Sequence, residues 1–200
     1  MSASIHTHRR ARTKVGAADL AVRSCVLRAL ASAFGYPTEE RVSSLQCCAN
    51  SCLESSHSLP LRLHGVLEAF ARRLSAMDRA AYESEFLGVF THVCAADCNP
   101  TESSYLAKHV FQVSQTVSSI TGFYKSFGLE VSGEKPDHVS VELEFLAFLC
   151  YREALETDAG TNANRKLMRQ GQRAFYDRHL GRWACAFASL ATEWIRVRMS

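Results

Sequence analysis

Nowhere in the chain do apolar residues run together for the roughly 18 positions that a membrane-spanning helix needs, so no stable membrane insertion is expected. No segment alternates apolar and polar residues between turn signals, which leaves no strand to assign. Internal repeats and low-complexity runs are also missing. A Gly-rich phosphate loop ending in Lys-Ser or Lys-Thr is absent, which disfavours a P-loop nucleotidase, and Gly-x-Ser-x-Gly is absent as well. Eight cysteines are present, yet none form the pairs with two intervening residues that mark structural zinc. The twin arginine Arg9-Arg10 is followed by Thr13-Lys14 and then by a segment broken by Asp19, Arg23 and Arg28. An uncharged export core is therefore missing, and the sequence reads as a cytoplasmic protein with reduced thiols.

What is present suffices for a core. Of 200 residues 47% are hydrophobic, which fits one ordinary folded domain and rules out a chain dominated by disorder. A formal charge of +3 is too mild to imply nucleic acid as a partner. The charge is unevenly placed. Arg9, Arg10, Arg12 and Lys14 make residues 1–15 a flexible basic arm ahead of a domain over 16–200, and Arg165, Lys166, Arg169, Arg173, Arg178, Arg182, Arg196 and Arg198 make the last third basic. Between them Glu130, Glu134, Asp137, Glu142, Glu144, Glu153, Glu156 and Asp158 face only Lys135 and Arg152. Such a segment offers either an acidic surface to a basic peptide or a solvated face answered by the basic helices of the same chain.

Apolar residues three and four apart predict an all-α fold. One helix spans 17–34 and ends at Gly35-Tyr36-Pro37; a second, capped by Thr38, reaches 53; a third spans 59–74; a fourth, capped by Ser75 and Asp78, carries Phe86 and Phe90. The pattern breaks over 91–100, where Pro100 opposes continuation. One long helix is expected over 102–127, stopped by Gly128. The next begins at Pro136-Asp137 and continues to about 157. Its front is acidic and from Leu143 onward it is apolar on almost every side, as in a helix central to an all-helical core. Pro136 suits a first helical turn, Asp137 a cap, and Glu142 and Glu144 the positive end of the dipole. Only a basic partner would give Glu142 and Glu144 a shared purpose. Two last helices, 165–178 and 182–199, meet at His179-Leu180-Gly181.

Few groupings suggest chemistry. Cys47-Cys48 with Cys52, and His92 with Cys94 and Cys98, have the density of metal ligands without zinc spacing, and packing as small hydrophobes is the favoured reading. Glu54-Ser55-Ser56-His57 has di-iron spacing, but a di-iron bundle needs that motif twice plus two further glutamates. Asp137-His138 with Glu142 is the strongest constellation, because positions 138 and 142 stand one turn apart, as a general acid and base would. The structural alternative has Asp137 capping the helix and His138 paired with Glu142. No nucleophile adjoins them, which favours binding or structure over catalysis. Glu102 and Tyr105 share a helix face just after Pro100, where a carboxylate can serve as a dipole partner.

The order of these signals is similar to one known family. Phe86-Leu87-Gly88-Val89-Phe90, then Asn99-Pro100-Thr101-Glu102-Ser103-Ser104-Tyr105, then Gly122-Phe123-Tyr124, then Lys135-Pro136-Asp137-His138 with Glu142-Leu143-Glu144-Phe145, and finally His179-Leu180-Gly181-Arg182-Trp183 resemble the TorD/DmsD/NarJ-like molybdoenzyme maturation chaperones over about 20–195. The run Gly122-Phe123-Tyr124-Lys125-Ser126-Phe127-Gly128 resembles the chaperones of type II dimethyl sulfoxide reductase-like enzymes in particular. The chain departs from the pattern at Asn99 and Thr101, where many members carry an aromatic residue or a second proline. The resemblance implies a single all-helical TorD-like domain that is not an enzyme and holds no cofactor of its own. It would bind the apo catalytic subunit of a molybdoenzyme and its twin-arginine signal peptide, assist molybdenum cofactor insertion and delay export, with molybdenum cofactor biosynthesis proteins as further partners. The implied peptide-binding surface comprises Phe86, Phe90, Pro100, Glu102, Tyr105, Asp137, His138 and Glu142. The alternatives are a nucleotide- or metal-dependent hydrolase using His138 and Glu142, and a helical adaptor with no role in cofactor insertion.

Overall fold

A computed structural model describes residues 16–54, 61–76, 78–90 and 98–198. Among these residues the regular elements are helices: α1 (Ala17–Phe34), α2 (Glu39–Glu54), α3 (Leu61–Ala76), α4 (Arg79–Phe90), α5 (Glu102–Leu106), α6 (Val110–Ser126), α7 (Val139–Asp158), α8 (Asn162–Arg178) and α9 (Ala184–Arg198), with a 3-10 turn at Leu180–Arg182 between the last two. The one extended pairing among them is a single antiparallel bridge between Thr101 and His138. None of the described helices is long and apolar enough to cross a membrane. The basic arm, His57, His92 and Cys94 lie outside the described residues.

Local chemistry accounts for most of the boundaries. Thr38 Oγ1 accepts the Arg41 N–H (3.2 Å) at the start of α2, and Asp78 Oδ1 accepts the Ala81 N–H (2.7 Å) at the start of α4. Ser75, expected to share that cap, lies within α3. Gly128 follows α6 with φ 74, a left-handed conformation that favours glycine.

Three expectations need correction. The single helix over 102–127 is two, because Ala107 and His109 adopt extended backbone (ψ 128 and 156). The Ala107 N–H closes α5 on the Ser103 carbonyl (3.0 Å), and the Gln112 side chain takes the Lys108 N–H (2.5 Å) to start α6. Pro136 and Asp137 precede α7 rather than opening it, and His138 is its cap. α8 starts at Asn162 with Thr161 as its N-cap, earlier than the expected 165.

α7 is the axis. Leu143, Phe145, Leu146, Ala147, Leu149 and Cys150 are all buried, and α1 and α8 lie against it. Ser24 Oγ donates to the Ala147 carbonyl (2.8 Å), fixing α1 on the axis. Gly171 lets α8 close in: a Cβ there would stand 2.6 Å from the Phe127 ring. Ile120, Tyr124, Phe145, Phe175, Trp183 and Phe187 complete the main core, while Ala29, Leu45, Cys48, Ala49 and Ala71 form a second cluster among α1, α2 and α3. Part of the acidic segment is answered from within the chain: buried Glu153 accepts from Arg169 Nε (2.7 Å) and Gln172 Nε2 (2.8 Å), both on α8.

Candidate functional site

Two segments distant in sequence are tied together ahead of α5 and α7. The Val139 N–H donates to the Pro100 carbonyl (2.8 Å) and the Glu102 N–H to the Asp137 carbonyl (2.9 Å). Side chains finish what the backbone begins. Asp137 Oδ2 accepts the Ser103 N–H (3.1 Å), capping α5 rather than α7, and His138 Nδ1 accepts the Ser140 N–H (3.2 Å), with the Ser140 hydroxyl 2.7 Å from the same nitrogen. Because Nδ1 accepts, the ring proton belongs on Nε2. Burial above all lowers the His138 pKa, with Arg41 and Lys135 adding to it against Glu134 and Asp137, so the ring is neutral. The Tyr124 hydroxyl donates to the Pro136 carbonyl (2.8 Å). Thr101 Oγ1 donates to Asn99 Oδ1 (2.9 Å) and lies 2.8 Å from Ser104 Oγ, so the two polar residues that depart from the family pattern hold each other and their loop.

Behind this tie the carboxyl groups are not where the sequence put them. Glu102, Asp137 and Glu142 are 2%, 2% and 0% exposed, which takes these three off any acidic surface, while Glu130, Glu134, Glu144 and Asp158 remain exposed. His138 and Glu142 do not form the expected pair: the former is engaged by Ser140, the latter accepts from Trp183 Nε1 (3.3 Å). Glu144, exposed, lines a separate cavity of about 360 Å³ with Arg28 and Arg41, so it shares no purpose with Glu142. Burial first, then the neighbouring Glu102, push the Glu142 pKa up to about 9 despite the Trp183 hydrogen bond; Asp137 adds to the rise. At neutral pH Glu142 is thus a carboxylic acid. Its Oε1 is buried with no donor in reach, which the protonated acid tolerates better than a carboxylate would.

The chain of polar contacts then continues outward. Glu102 accepts from His179 Nδ1 (3.0 and 3.2 Å), and Ser119 Oγ stands 3.2 Å from His179 Nε2 at the wall of a cavity of about 450 Å³ that Gln115, Thr116, Arg178 and Arg182 also line. Serine, histidine and glutamate in this order suggest a nucleophile relay. Ser119 sits in mid-helix, however, where the neighbouring N–H groups belong to α6, and a developing oxyanion would meet no backbone donors. Among the described residues no three His, Cys, Asp or Glu side chains are grouped to hold a metal ion. The arrangement is a structural proton-sharing knot.

On the other side the knot supports a row of aromatic rings. Phe86 and Phe90 stand one turn apart on α4 with centroids 4.9 Å apart; Phe86 meets Tyr36 (6.1 Å), and Phe90 meets Phe34 (6.1 Å) and Phe187 (6.4 Å). Tyr105 joins through Phe187 (6.4 Å) and Trp183 (5.3 Å), the same indole that donates to Glu142. None of the α4 side chains is fully buried, and Phe86, Phe90, Pro100 and Tyr105 are half-buried. Glu83, one turn before Phe86, accepts from the Tyr36 hydroxyl. The structure therefore brings Phe86, Phe90 and Tyr105 into one aromatic row and Pro100, Glu102, Asp137, His138 and Glu142 into the support behind it. Sequence reasoning missed Tyr36, Glu83 and Phe187 and assigned no partner role to His179 or Trp183. Of these only Glu83 carried a signal, its i to i+3 spacing from Phe86.

The tie has a measurable energetic signature. Asp137→Ala leaves the half-buried Ser103 N–H without its cap and should destabilise the fold by about 1–2 kcal/mol, whereas Asp137→Asn, which keeps an acceptor, should cost less. Denaturant midpoints of the two variants check this; equal effects would contradict the cap.

Residues 57–189 match the family model described as nitrate reductase delta subunit. Over 68 residues the chain is 41% identical to the selenate reductase assembly chaperone protein of Thauera selenatis, covering 32% of this chain and 34% of that one. The match thus spans about a third of the curated relative's length. A solved structure of a protein from Archaeoglobus fulgidus, assigned to redox enzyme maturation, is 22% identical with a TM-score of 0.48, covering 75% of this chain and 91% of that one.

Proposed function

This chain belongs to the nitrate reductase delta subunit family, molybdoenzyme assembly chaperones of the TorD/NarJ type, and on that premise we propose that it binds the apo catalytic subunit of a dimethyl sulfoxide reductase-like molybdoenzyme in the cytoplasm. Recognition of the twin-arginine signal peptide would hold that subunit back until its molybdenum cofactor is inserted. The observation that carries the reading is the half-buried aromatic row of α4 and α5, Phe86, Phe90 and Tyr105, standing beside Glu83.

A twin-arginine peptide presents two cations followed by an apolar stretch. Its apolar part fits the aromatic row, and its arginines fit Glu83 rather than the buried acids. Glu102, Asp137, His138 and Glu142 position the wall instead of meeting the peptide. Apolar burial, at about 25 cal/mol per Å², supplies most of the affinity, and an exposed arginine–carboxylate pair adds up to about 1 kcal/mol. Binding should weaken with salt without vanishing.

Co-expression with a selenate reductase-type catalytic subunit tests the assignment. The subunit should co-purify with this chain, and in cells lacking the chain it should accumulate without molybdenum. A subunit that reaches full molybdenum content without it would contradict a role in cofactor insertion.

A further inference from the structure

The cavity of about 450 Å³ at the outer end of the knot shares no residue with the aromatic row. Its size falls within the roughly 300–1,000 Å³ of small-molecule sites. Two elements supply its walls. Gln115, Thr116 and Ser119 lie within one turn of one another on α6, and Arg178 and Arg182 stand four residues apart across the His179 corner, where the Arg182 N–H donates to the His179 carbonyl (2.9 Å). The Arg178 guanidinium lies 5.7 Å from the centroid of the Phe123 ring, one turn beyond Ser119, which holds it against α6. The back of the cavity is equally fixed: His179 meets Ser119 Oγ (3.2 Å) and Glu102 (3.0 Å), and its ring packs on Phe123 (5.4 Å) and Phe175 (5.2 Å).

Neither arginine is answered by the chain. Among the described residues no carboxylate forms an ion pair with Arg178 or Arg182, although Arg169, earlier on α8, is paired with Glu153. Two carboxylates do line the cavity. Glu102 is 2% exposed and its oxygens accept from His179, while Asp177 is exposed and makes no ion pair with either arginine. Two like charges on one wall repel, and an anion between them would remove that cost.

We propose that this cavity binds a phosphate group, as the free ion or as the ester of a small hydrophilic molecule. Guanidinium groups carry donors only, in a planar fork that matches phosphate oxygens, and the Gln115 amide and the Thr116 hydroxyl add neutral donors from α6. Together they present about six N–H and O–H donors, more than the roughly four acceptor sites of a carboxylate and suited to the three oxygens and near-double charge of a phosphate ester. No apolar side chain is among the lining residues, so whatever carries the phosphate is itself polar. Arginines held in place before the ligand arrives lose little freedom on binding it.

Calorimetric titration of the full chain with inorganic phosphate, glycerol phosphate and acetate tests the site. Phosphate should bind at a one-to-one ratio and acetate at least tenfold more weakly. A tighter complex with glycerol phosphate would identify the ligand as an ester, and equal affinities would identify it as the free ion. Arg178→Ala and Arg182→Ala, both at exposed positions, should each weaken binding about tenfold. Gln115→Ala, which leaves every charge in place, should weaken it about threefold. Arg173→Ala, exposed on the same helix but outside the cavity, should bind as the wild type does. Absence of binding by both phosphates, acetate binding as well as phosphate, or a loss in Arg173→Ala equal to that in Arg178→Ala would overturn the proposal. The wild-type titrations and Gln115→Ala decide the matter even where an arginine variant fails to fold.

Discussion

Phe175→Ala should lower the free energy of unfolding by about 3–5 kcal/mol, a large share of the roughly 5–15 kcal/mol that holds a domain together. The ring is 0% exposed and touches Phe123 (5.5 Å), Tyr124 (5.9 Å), Phe145 (4.7 Å) and His179 (5.2 Å). These neighbours come from α6, α7 and the end of α8, so little can relax into the void. The loss also frees His179, the link between Glu102 and Ser119. Denaturant unfolding followed by circular dichroism measures it; a cost below about 1 kcal/mol would mean that α8 does not close the core as described.

Glu142→Gln should remove most of a pH dependence that the wild-type protein shows. In the folded chain the carboxyl keeps its proton until about pH 9, whereas the unfolded chain releases it from about 4.5. Between those values unfolding releases a proton, so stability falls as pH rises, at up to about 1.4 kcal/mol per unit. Glutamine copies the protonated acid in shape, accepts from Trp183 and cannot ionise. The variant should therefore match the wild type near pH 4 and exceed it by a few kcal/mol near pH 9. His138 acts at the opposite end: its lowered pKa means that stability is lost as pH falls below its ordinary 6.5, and that acid limb should survive the substitution. Parallel curves for the two proteins above pH 5 would show that Glu142 is ionised in the fold.

Much of the fold was legible because its signals are local. Gly35-Tyr36-Pro37, Asp78 and Gly128 mark helix ends through backbone chemistry that acts within a few residues, and Leu143 to Cys150 announce the axis by being apolar on nearly every side. The break at Ala107-Lys108-His109 was not legible, since none of these residues forbids a helix and the turn is fixed by Ser103 and Gln112. The burial of Glu102, Asp137 and Glu142 was hidden for a different reason. An isolated carboxylate belongs in water, and only partners tens of residues away, His179, Ser103 and Trp183, make its burial tolerable.

The most direct test is calorimetric titration of a twin-arginine leader peptide from a molybdoenzyme catalytic subunit into the wild-type protein, Phe86→Ala and Glu142→Gln. Phe86→Ala, at a half-exposed position, should remain folded but bind at least tenfold more weakly, while Glu142→Gln should bind as the wild type does. Unchanged affinity in Phe86→Ala together with lost affinity in Glu142→Gln would contradict this, because the buried carboxyl rather than the aromatic row would then be what the peptide meets.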